Sequence, residues 1–433
     1  MTHQMIAPGL FLIFMVFATL MFMRKIPALL ALPAMAILIA LLAQLPITDI
    51  LNKIIAQGSV KLSAVYVAVF MGAMMGRVLI QAGIAEEIIK KAAEFGGEKP
   101  LIVSFGLMFV TVILFTTLQG LGAIITVGSL VLPIMMSLGI PRKLAGTLFL
   151  LAFATGFIFN PILFTLYRQL LQLQENEPMP TQISTFAFVL LGLMFVTVII
   201  YALVAAKRSG EMLLMSAISK SDLLKRRKKV PAIALLTPIL PLILFFGFNY
   251  FGVKLDFIAT FIIGSMFGAL ATDWRNAIKT LTSSAIKGVE DGAPAAILMM
   301  GIGMLLNALN LPAIKTALEP LILSLPFHSS LFYIAFFGLL SPLSLYRGPL
   351  NIFGIGIGFF TIMFGTAVLP PLALLAAIMC VVQVQNVCDP TNTHSVWIAN
   401  FVGVRVEDFT KETLLPMVLL CVIGLIISAM MFL

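Results

Sequence analysis

Charged residues are scarce in this sequence. Of its 433 residues only 10% are Asp, Glu, Lys or Arg, whereas 61% are hydrophobic, and a soluble globular domain carries about 25% charged residues. The composition therefore excludes an ordinary soluble domain. The formal net charge of +9 does not indicate nucleic-acid binding, because Lys and Arg concentrate in short segments between apolar runs, as in the cytoplasmic loops of membrane proteins.

Residues and motifs that would indicate redox, metal or nucleotide chemistry are also few. The three cysteines, Cys380, Cys388 and Cys421, lie in or beside apolar runs without metal-ligand spacing, so we expect neither a disulfide nor a bound metal. The sequence contains no Walker motif, haem ligand set or hydrolase triad. We therefore expect neither an enzyme nor an ATP-driven pump, and we expect no cofactor.

Apolar runs of roughly 20 residues, by contrast, recur along the whole chain. Such a run matches the thickness of a bilayer core when it is helical. Strands of a membrane barrel would alternate apolar and polar residues, and these runs do not. The sequence predicts an all-α polytopic membrane protein, in which each spanning segment satisfies its own backbone hydrogen bonds.

The chain divides into two similar halves, residues 1–206 and 230–433, around a basic linker at 207–229. Landmarks of the first half recur in the second at a nearly fixed offset. Gly72 matches Gly301, Gly120 matches Gly348, and Asn160-Pro161 matches Asp389-Pro390. This constant offset indicates an internal repeat.

Each half contains three spans, a long interrupted apolar segment, a span broken at Asn-Pro or Asp-Pro, and a final span. The interrupted segments are residues 99–139 and about 330–368. Each is either two ordinary spans or one re-entrant hairpin, and both readings give an even number of crossings. The halves must then be inverted relative to each other. We predict two inverted repeats, each with five transmembrane helices, a re-entrant hairpin and one discontinuous helix, as in many secondary transporters.

The distribution of basic residues predicts the orientation. With the N-terminus outside, 20 of the 27 Lys and Arg residues fall on the cytoplasmic side and five fall outside. Cytoplasmic loops are enriched in Lys and Arg. We therefore expect both termini outside. The remaining two, Arg77 and Arg347, fall within membrane segments; we expect Arg77, near the cytoplasmic end of its span, to extend to the lipid headgroups.

The stretch "QNVCDPTNTHSVW" (385–397) places polar residues deep in an apolar segment. Asp389 can cap a helix that begins at Pro390, since proline suits the first helical position. An interrupted span within the membrane must line a polar cavity or be buried in protein.

Asp389 is the only acidic residue predicted to lie within a span. Burial of a carboxylate in the membrane costs free energy, and such residues are as a rule functional. Asp389 is a candidate proton carrier or cation ligand.

Two hairpin tips add further polar groups. Arg347 lies at the second tip, "LYRGPLN", where its guanidinium either binds an anion or pairs with Asp389. The first tip, "TTLQGLG", offers neutral hydrogen-bonding groups, and its glycines allow a ligand to approach the backbone. His394, one turn after Pro390, is a candidate proton relay or a structural histidine.

The stretches "TTLQGLGAIITVGSLVLPIMMSLGI", "LYRGPLN" and "QNVCDPTNTHSVWIANF" resemble the ion transporter superfamily, in particular its gluconate, citrate and C4-dicarboxylate transporter families and the NhaC-type antiporters. The resemblance implies two inverted repeats with re-entrant hairpins, a homodimer with a scaffold domain, and elevator-like movement of a substrate-bearing domain. The dicarboxylate/sodium symporters carry Ser-Asn-Thr at the hairpin tips, whereas this sequence has Gln119-Gly120-Leu121 and Arg347-Gly348-Pro349. The resemblance therefore specifies neither sodium coupling nor a dicarboxylate.

These patterns predict a symporter of the bacterial inner membrane that moves a small organic anion, a carboxylate, with H⁺ or Na⁺. Its partners are the substrate, the bilayer and a second copy of the chain. The alternatives are a cation/proton antiporter and a channel. Asp389 and His394 are the predicted coupling residues. The predicted substrate-binding residues are Thr117, Gln119, Gly120, Gly122, Asn160, Arg347, Gly348, Asn351, Asn386, Thr391, Asn392 and Thr393.

Overall fold

The computed structural model describes residues 6–23, 25–95, 100–173, 177, 179–208, 230–250, 255–327, 329–354 and 356–433. Most of the predicted basic linker, residues 209–229, lies outside these ranges. The described residues are helical and contain no strand, as the apolar runs predicted.

The first half of the chain contributes eleven helices among the described residues. They are α1 (Ile6–Phe22), α2 (Ala28–Leu42), α3 (Ile47–Asp49), α4 (Gln57–Val60), α5 (Ser63–Gln81), α6 (Ile84–Phe95), α7 (Pro100–Phe115), α8 (Gly120–Ser137), α9 (Arg142–Phe157), α10 (Pro161–Leu170) and α11 (Thr181–Arg208). A π-helical segment, Ile50–Ala56, joins α3 to α4.

The second half contributes nine helices to the described part of the chain. They are α12 (Leu240–Tyr250), α13 (Phe257–Asp273), α14 (Ala277–Leu309), α15 (Pro312–Leu323), α16 (Ser330–Ile334), α17 (Gly356–Thr366), α18 (Pro371–Cys388), α19 (Thr393–Val402) and α20 (Val406–Phe432). A 3-10 segment, Ala232–Leu236, precedes α12, and α16 continues through a π-helical segment, Ala335–Leu339, into a second 3-10 segment, Ser341–Arg347.

Seven helical stretches of the described residues are long and apolar enough to cross a membrane, or eight if α9 and α10, bent by 52° at their junction, count as one span. Further apolar helices, α1, α2, α7, α13 and α17, are shorter than 18 residues. The protein is thus a polytopic helical membrane protein, although fewer helices reach spanning length than the ten that the sequence predicted.

The order of elements after α5 recurs in the second half. In each half a hairpin is followed by a buried helix, a break, a short helix and a long helix. The buried helix α9 begins at Arg142 and its counterpart α18 begins at Pro371, which keeps the offset of the sequence landmarks. Every residue from Ala145 to Gly156 and from Ala373 to Cys388 is buried. A helix that is apolar on all sides belongs in the interior of a larger protein, so these two helices form its centre.

The longest helix, α14, packs along α5 at close range. At Gly288 an added Cβ would lie 2.5 Å from the backbone nitrogen of Met74 and 2.7 Å from its Cα atom. Small residues allow helix backbones to approach in this way within membranes. This contact therefore sets the position of α14 relative to the hairpin of the first half.

Replacement of Gly288 by Ala should therefore destabilise the protein. Insertion of a methyl group into a packed interface costs about 1–3 kcal/mol, and the apparent Tm of the purified protein in detergent should fall. The matched control is Gly192→Ala on α11, where a Cβ meets no described residue within 4 Å; there alanine should stabilise the helix by about 0.5–1 kcal/mol. A Gly288→Ala variant that melts at or above the Gly192→Ala variant would contradict the close contact.

Candidate functional site

The broken helix of the second half ends and restarts at polar residues. α18 ends at Cys388 and α19 begins at Thr393, with Asn392 at the N-cap position. This differs from the prediction that the helix restarts at Pro390. The Asp389 carboxylate accepts hydrogen bonds from the backbone N–H of Thr391 (2.9 Å) and from its hydroxyl (2.7 Å), and this Asx-type turn occupies the residues that the prediction placed in the helix.

Asp389 also fixes the tip of the second hairpin. Its carboxylate is fully buried and accepts hydrogen bonds from the backbone N–H of Tyr346 (3.1 Å) and from the Asn351 side chain (3.3 Å). Asn351 in turn donates to the Ser344 carbonyl at 2.7 Å. Four donors therefore surround this carboxylate, which joins the helix break to the hairpin tip.

The backbone at the second tip adopts an unusual conformation. Tyr346 and Arg347 have φ values of 56° and 59°, in the left-handed region that few non-glycine residues occupy. The hydrogen bond from the Tyr346 N–H to Asp389 holds the turn in place. In this position the Arg347 guanidinium lines the central cavity described below and donates to the Phe353 carbonyl at 3.4 Å.

The first half fixes its own hairpin tip in a corresponding way. Asn160 caps α10, accepting from the Ile162 N–H at 3.1 Å, with Pro161 at the first helical position as predicted. The Asn160 amide group donates to the carbonyls of Phe115 (3.3 Å) and Leu118 (3.2 Å), which lie at the end of α7 and in the tip. Asn160 and Asp389, which occupy matching positions in the two halves of the sequence, thus each join a helix break to a hairpin tip.

The two tips and the second break enclose one cavity of about 200 Å³, here called the central cavity. Its wall is mostly apolar and includes Phe153, Phe157 and Phe353. Seven of the predicted site residues line it. They are Gln119, Gly120, Arg347, Asn386, Asn392, Thr393 and His394.

Seven other predicted residues do not line this cavity. They are Thr117, Gly122, Asn160, Gly348, Asn351, Thr391 and Asp389. Several of them act behind the wall: Asn160 and Asp389 position the tips, and Asn351 and Thr391 bond to Asp389. Gly348 lies so close to the Leu345 carbonyl that a Cβ would approach it to 2.9 Å, which accounts for the absence of a side chain.

Two buried polar atoms at the cavity lack hydrogen-bond partners within the described ranges. They are Oε1 of Gln119 and Nδ2 of Asn386. The Gln119 amide group, on the other side, donates to the carbonyls of Ala68 and Val69. An unpaired buried polar group costs about 1–3 kcal/mol. Both residues line the cavity.

His394 faces the cavity with its ring fixed. Nε2 lies 2.9 Å from the Asn386 carbonyl, to which it donates because a carbonyl oxygen only accepts. The ring centroid lies 4.6 Å from that of Phe153. The histidine therefore has both a hydrogen bond and a packing partner, and its remaining nitrogen is an acceptor in this tautomer.

The charges at the cavity differ from those that the sequence predicted. Arg77 does not extend to headgroups: its Nε and Nη2 atoms donate to the Asp291 carboxylate at 2.5 and 2.6 Å. Asp291 belongs to the spanning stretch Ala277–Leu309 and lines the cavity, so Asp389 is not the only acidic residue within a span. Asp291 was not predicted, because "KGVEDGAP" resembles a charged loop, whereas α14 continues through it.

Arg347 has no carboxylate partner among the described residues. Its guanidinium is therefore the one cation facing the cavity, within the described ranges, whose charge is not balanced by a direct ion pair. Gln385, another residue that the sequence analysis did not select, also lines the cavity and accepts from the Ile352 N–H at 3.0 Å. Its position three residues before Cys388, next to the helix break, could have identified it as a candidate site residue.

The fold and this cavity define a polytopic helical membrane protein whose two hairpin tips meet at a small, internally charged site. Models of known protein families and the curated proteins give no match to the sequence. Among solved structures the chain is similar to the YdaH transporter of Alcanivorax borkumensis, whose crystal structure has an unusual topology. The identity is 13%, the TM-score is 0.60, and the match covers 88% of this chain and 87% of that one. The two proteins share a fold.

Substitution of Asp389 by Asn should destabilise the protein. The amide NH₂ group would face N–H or O–H donors that now bond to a carboxylate oxygen, and a buried donor left unpaired costs about 1–3 kcal/mol. We expect a lower apparent Tm in detergent. Asp408→Asn is the matched control, because Asp408 pairs with the exposed Arg405 at the start of α20 and exposed ion pairs contribute about 0–1 kcal/mol. Equal melting of the two variants would show that the Asp389 network does not stabilise the tip.

Proposed function

We propose that this protein is a secondary active transporter, a symporter that moves a small organic anion with a carboxylate group across the membrane together with H⁺ or Na⁺. The observation that carries this proposal is the Arg347 guanidinium, which lines the central cavity without a carboxylate partner in the described part of the chain. A guanidinium remains charged and binds a carboxylate through two parallel hydrogen bonds. A bound anion would balance its charge.

The other polar atoms of the cavity support a specific mode of binding. Asn386 Nδ2 is a donor without a partner among the described residues, so it suits the same carboxylate that Arg347 binds. Gln119 Oε1 is a buried acceptor that likewise has no partner among the described residues, and it suits a hydroxyl or N–H group elsewhere on the substrate. Gly120 lets the substrate approach the backbone of the first tip. The volume of about 200 Å³ lies below the roughly 300–1,000 Å³ of drug-sized pockets and favours a small substrate.

The fold supports transport rather than catalysis. The chain has the fold of the YdaH transporter, and two hairpin tips that meet at one cavity can separate to expose it on alternate sides. We propose that the halves are inverted repeats and that one domain moves in an elevator-like manner within a homodimer. Inverted repeats with broken helices are a common basis of alternating access.

The coupling residues proposed from the sequence, Asp389 and His394, differ in their access to the cavity. His394 lines it, whereas Asp389 lies behind the second tip and bonds to that tip directly. Protonation of Asp389 would place an O–H donor among the four donors that its carboxylate now accepts from, and would weaken the contacts that hold the turn at Arg347. Asp389 thus links the helix break to the second tip, whereas His394 is the one of the two that a ligand in the cavity can reach.

A cation/proton antiporter, the main alternative from the sequence, receives less support. A site for a metal cation requires oxygen ligands, but four N–H or O–H donors surround the Asp389 carboxylate. Both oxygens of Asp291 accept from the Arg77 guanidinium. An unbalanced Arg347 at the cavity would in addition repel a cation.

Arg347→Gln should nearly abolish anion uptake by proteoliposomes at substrate concentrations near the wild-type KM. Loss of a charged hydrogen-bonding partner in a buried site costs about 2–5 kcal/mol, so the KM should rise by roughly thirtyfold or more. Labelled gluconate, citrate, malate, lactate and amino acids would each be tested with an inward proton gradient, an inward sodium gradient, or neither. Arg405→Gln, which removes an exposed guanidinium outside the cavity, is the matched control.

Unchanged uptake and KM in the Arg347→Gln variant would remove this residue from the binding site. If no anion moved in the wild-type protein while sodium dissipated a pH gradient, the antiporter would replace the symporter as the function. Single-channel currents would instead indicate a channel.

We further propose that the protein lies in the bacterial inner membrane with both termini outside, on the basis of its basic residues. An alkaline phosphatase domain fused after Leu433 should be active, because that enzyme folds only outside the cytoplasm. The same domain fused after Lys229, in the basic linker, should be inactive and serves as the control. The reverse pair of results would invert the proposed orientation.

A further inference from the structure

A carboxylate reaches the central cavity from a helix outside the two hairpins. Asp291, near the middle of α14, lines the cavity beside Gly120. It also packs against the first turn of α8, where a Cβ on Gly122 would lie 2.7 and 2.8 Å from its two carboxylate oxygens. Any side chain at position 122 would displace the carboxylate. The charge of Asp291 therefore acts directly on the first tip, at the helix end that favours a nearby anion.

Asp291 is held by fewer partners than Asp389. Its two oxygens accept hydrogen bonds from the Arg77 guanidinium alone, among the described residues. The side chains of Arg77 and Asp291 remain 25% and 15% exposed, whereas Asp389 is fully buried and receives four hydrogen bonds. A proton can therefore reach Asp291 from the cavity without disruption of the tip, which is not so for Asp389.

The surroundings of Asp291 favour a proton over a metal cation. Both carboxylate oxygens lie within 2.6 Å of guanidinium nitrogens, so a metal ion bound there would lie against a fixed positive charge. A proton binds to a single carboxylate oxygen, whereas a metal cation needs several oxygen ligands. The loss of one negative charge would also reduce repulsion of an anion that enters the cavity.

The charged groups around Asp291 come from few elements. α5 contributes Arg77, and α14 itself contributes Lys287 and the exposed Glu290, while α2, α4, α8 and α17 carry no charged residue. Arg347 and His394 line the same cavity as Asp291. Lys61, just after α4, donates to Asn307 near the C-terminal end of α14. The remaining elements in contact with α14 carry four further charged residues. These are Asp273 of α13, Lys53 of the π-helical segment, and Lys315 and Glu319 of α15.

We propose that Asp291 carries the proton that is coupled to anion transport, an inference that rests on the proposed symport and assigns its coupling ion. In this step a carboxylate oxygen of Asp291 forms an O–H bond with a proton taken from water on the side of higher proton concentration. The ion pair between Asp291 and Arg77 is lost, and the first tip then contacts a neutral carboxyl group instead of a carboxylate. The proton returns to water on the opposite side when the ion pair forms again.

The test separates anion movement from proton coupling in proteoliposomes that contain the full-length protein. Counterflow of labelled anion against the same unlabelled anion requires binding and movement but no proton gradient. Accumulation under an inward proton gradient requires coupling as well. Asp291→Asn should retain counterflow and lose gradient-driven accumulation, because the amide cannot take up or release the proton. Glu290→Gln, the adjacent exposed acid on the same helix, is the matched control and should retain both activities.

Normal gradient-driven accumulation by Asp291→Asn would overturn the inference, as would wild-type accumulation driven by sodium and not by protons. In either case, loss of uptake by Arg347→Gln would leave the proposed function intact. If Asp291→Asn lost counterflow too, the double variant Arg77→Gln/Asp291→Asn, which removes the unpaired guanidinium, would decide. Counterflow without accumulation in that variant supports Asp291 as the coupling residue; recovery of accumulation, or no recovery of counterflow, overturns it.

Discussion

The structure depends on how two interrupted helices satisfy their backbone groups inside a membrane protein. Neither lipid nor an apolar core supplies hydrogen bonds, so each break needs a polar side chain of the protein itself. Asn160 supplies it in the first half and Asp389 in the second, and each of them also bonds to the backbone of the adjacent hairpin tip. In each half, a single side chain thus stabilises the helix break and positions the hairpin tip.

The position of the tips determines the chemistry of the central cavity. Because Asp389 bonds to Tyr346, the following residue, Arg347, is fixed with its guanidinium at the cavity wall. Asp389 is therefore more important as a positioning residue than as a direct partner of Arg347. The second carboxylate, Asp291, is balanced by Arg77. Arg347 and Asp389 form no direct ion pair, and of these two only Arg347 lines the cavity, which supports an anion as the substrate.

Much of the fold could be predicted because the signals are local. Long apolar runs, the Asn160-Pro161 break and the recurrence of elements at a constant offset depend on composition and on residues next to each other in the chain. The restart of α19 was predicted too early, at Pro390 instead of Thr393. There the Asp389 side chain bonds to Thr391 and forms a turn. This turn competes with a helix that would begin at Pro390, and local helix rules do not decide between the two.

Residues that are neighbours in the chain specify a helical membrane protein, its breaks near Asn160 and Asp389, and the stretches that are polar within apolar surroundings. Which of the polar residues face the cavity depends instead on contacts between distant helices. Arg77 and Asp291 are 214 residues apart, and no local pattern indicates that they pair or that Asp291 contacts Gly122. That contact arises because α5 and α14 pack closely and present one face to the first hairpin. Side-chain partners across such an interface depend on the packing of distant helices, whereas helix formation depends on neighbours in the chain.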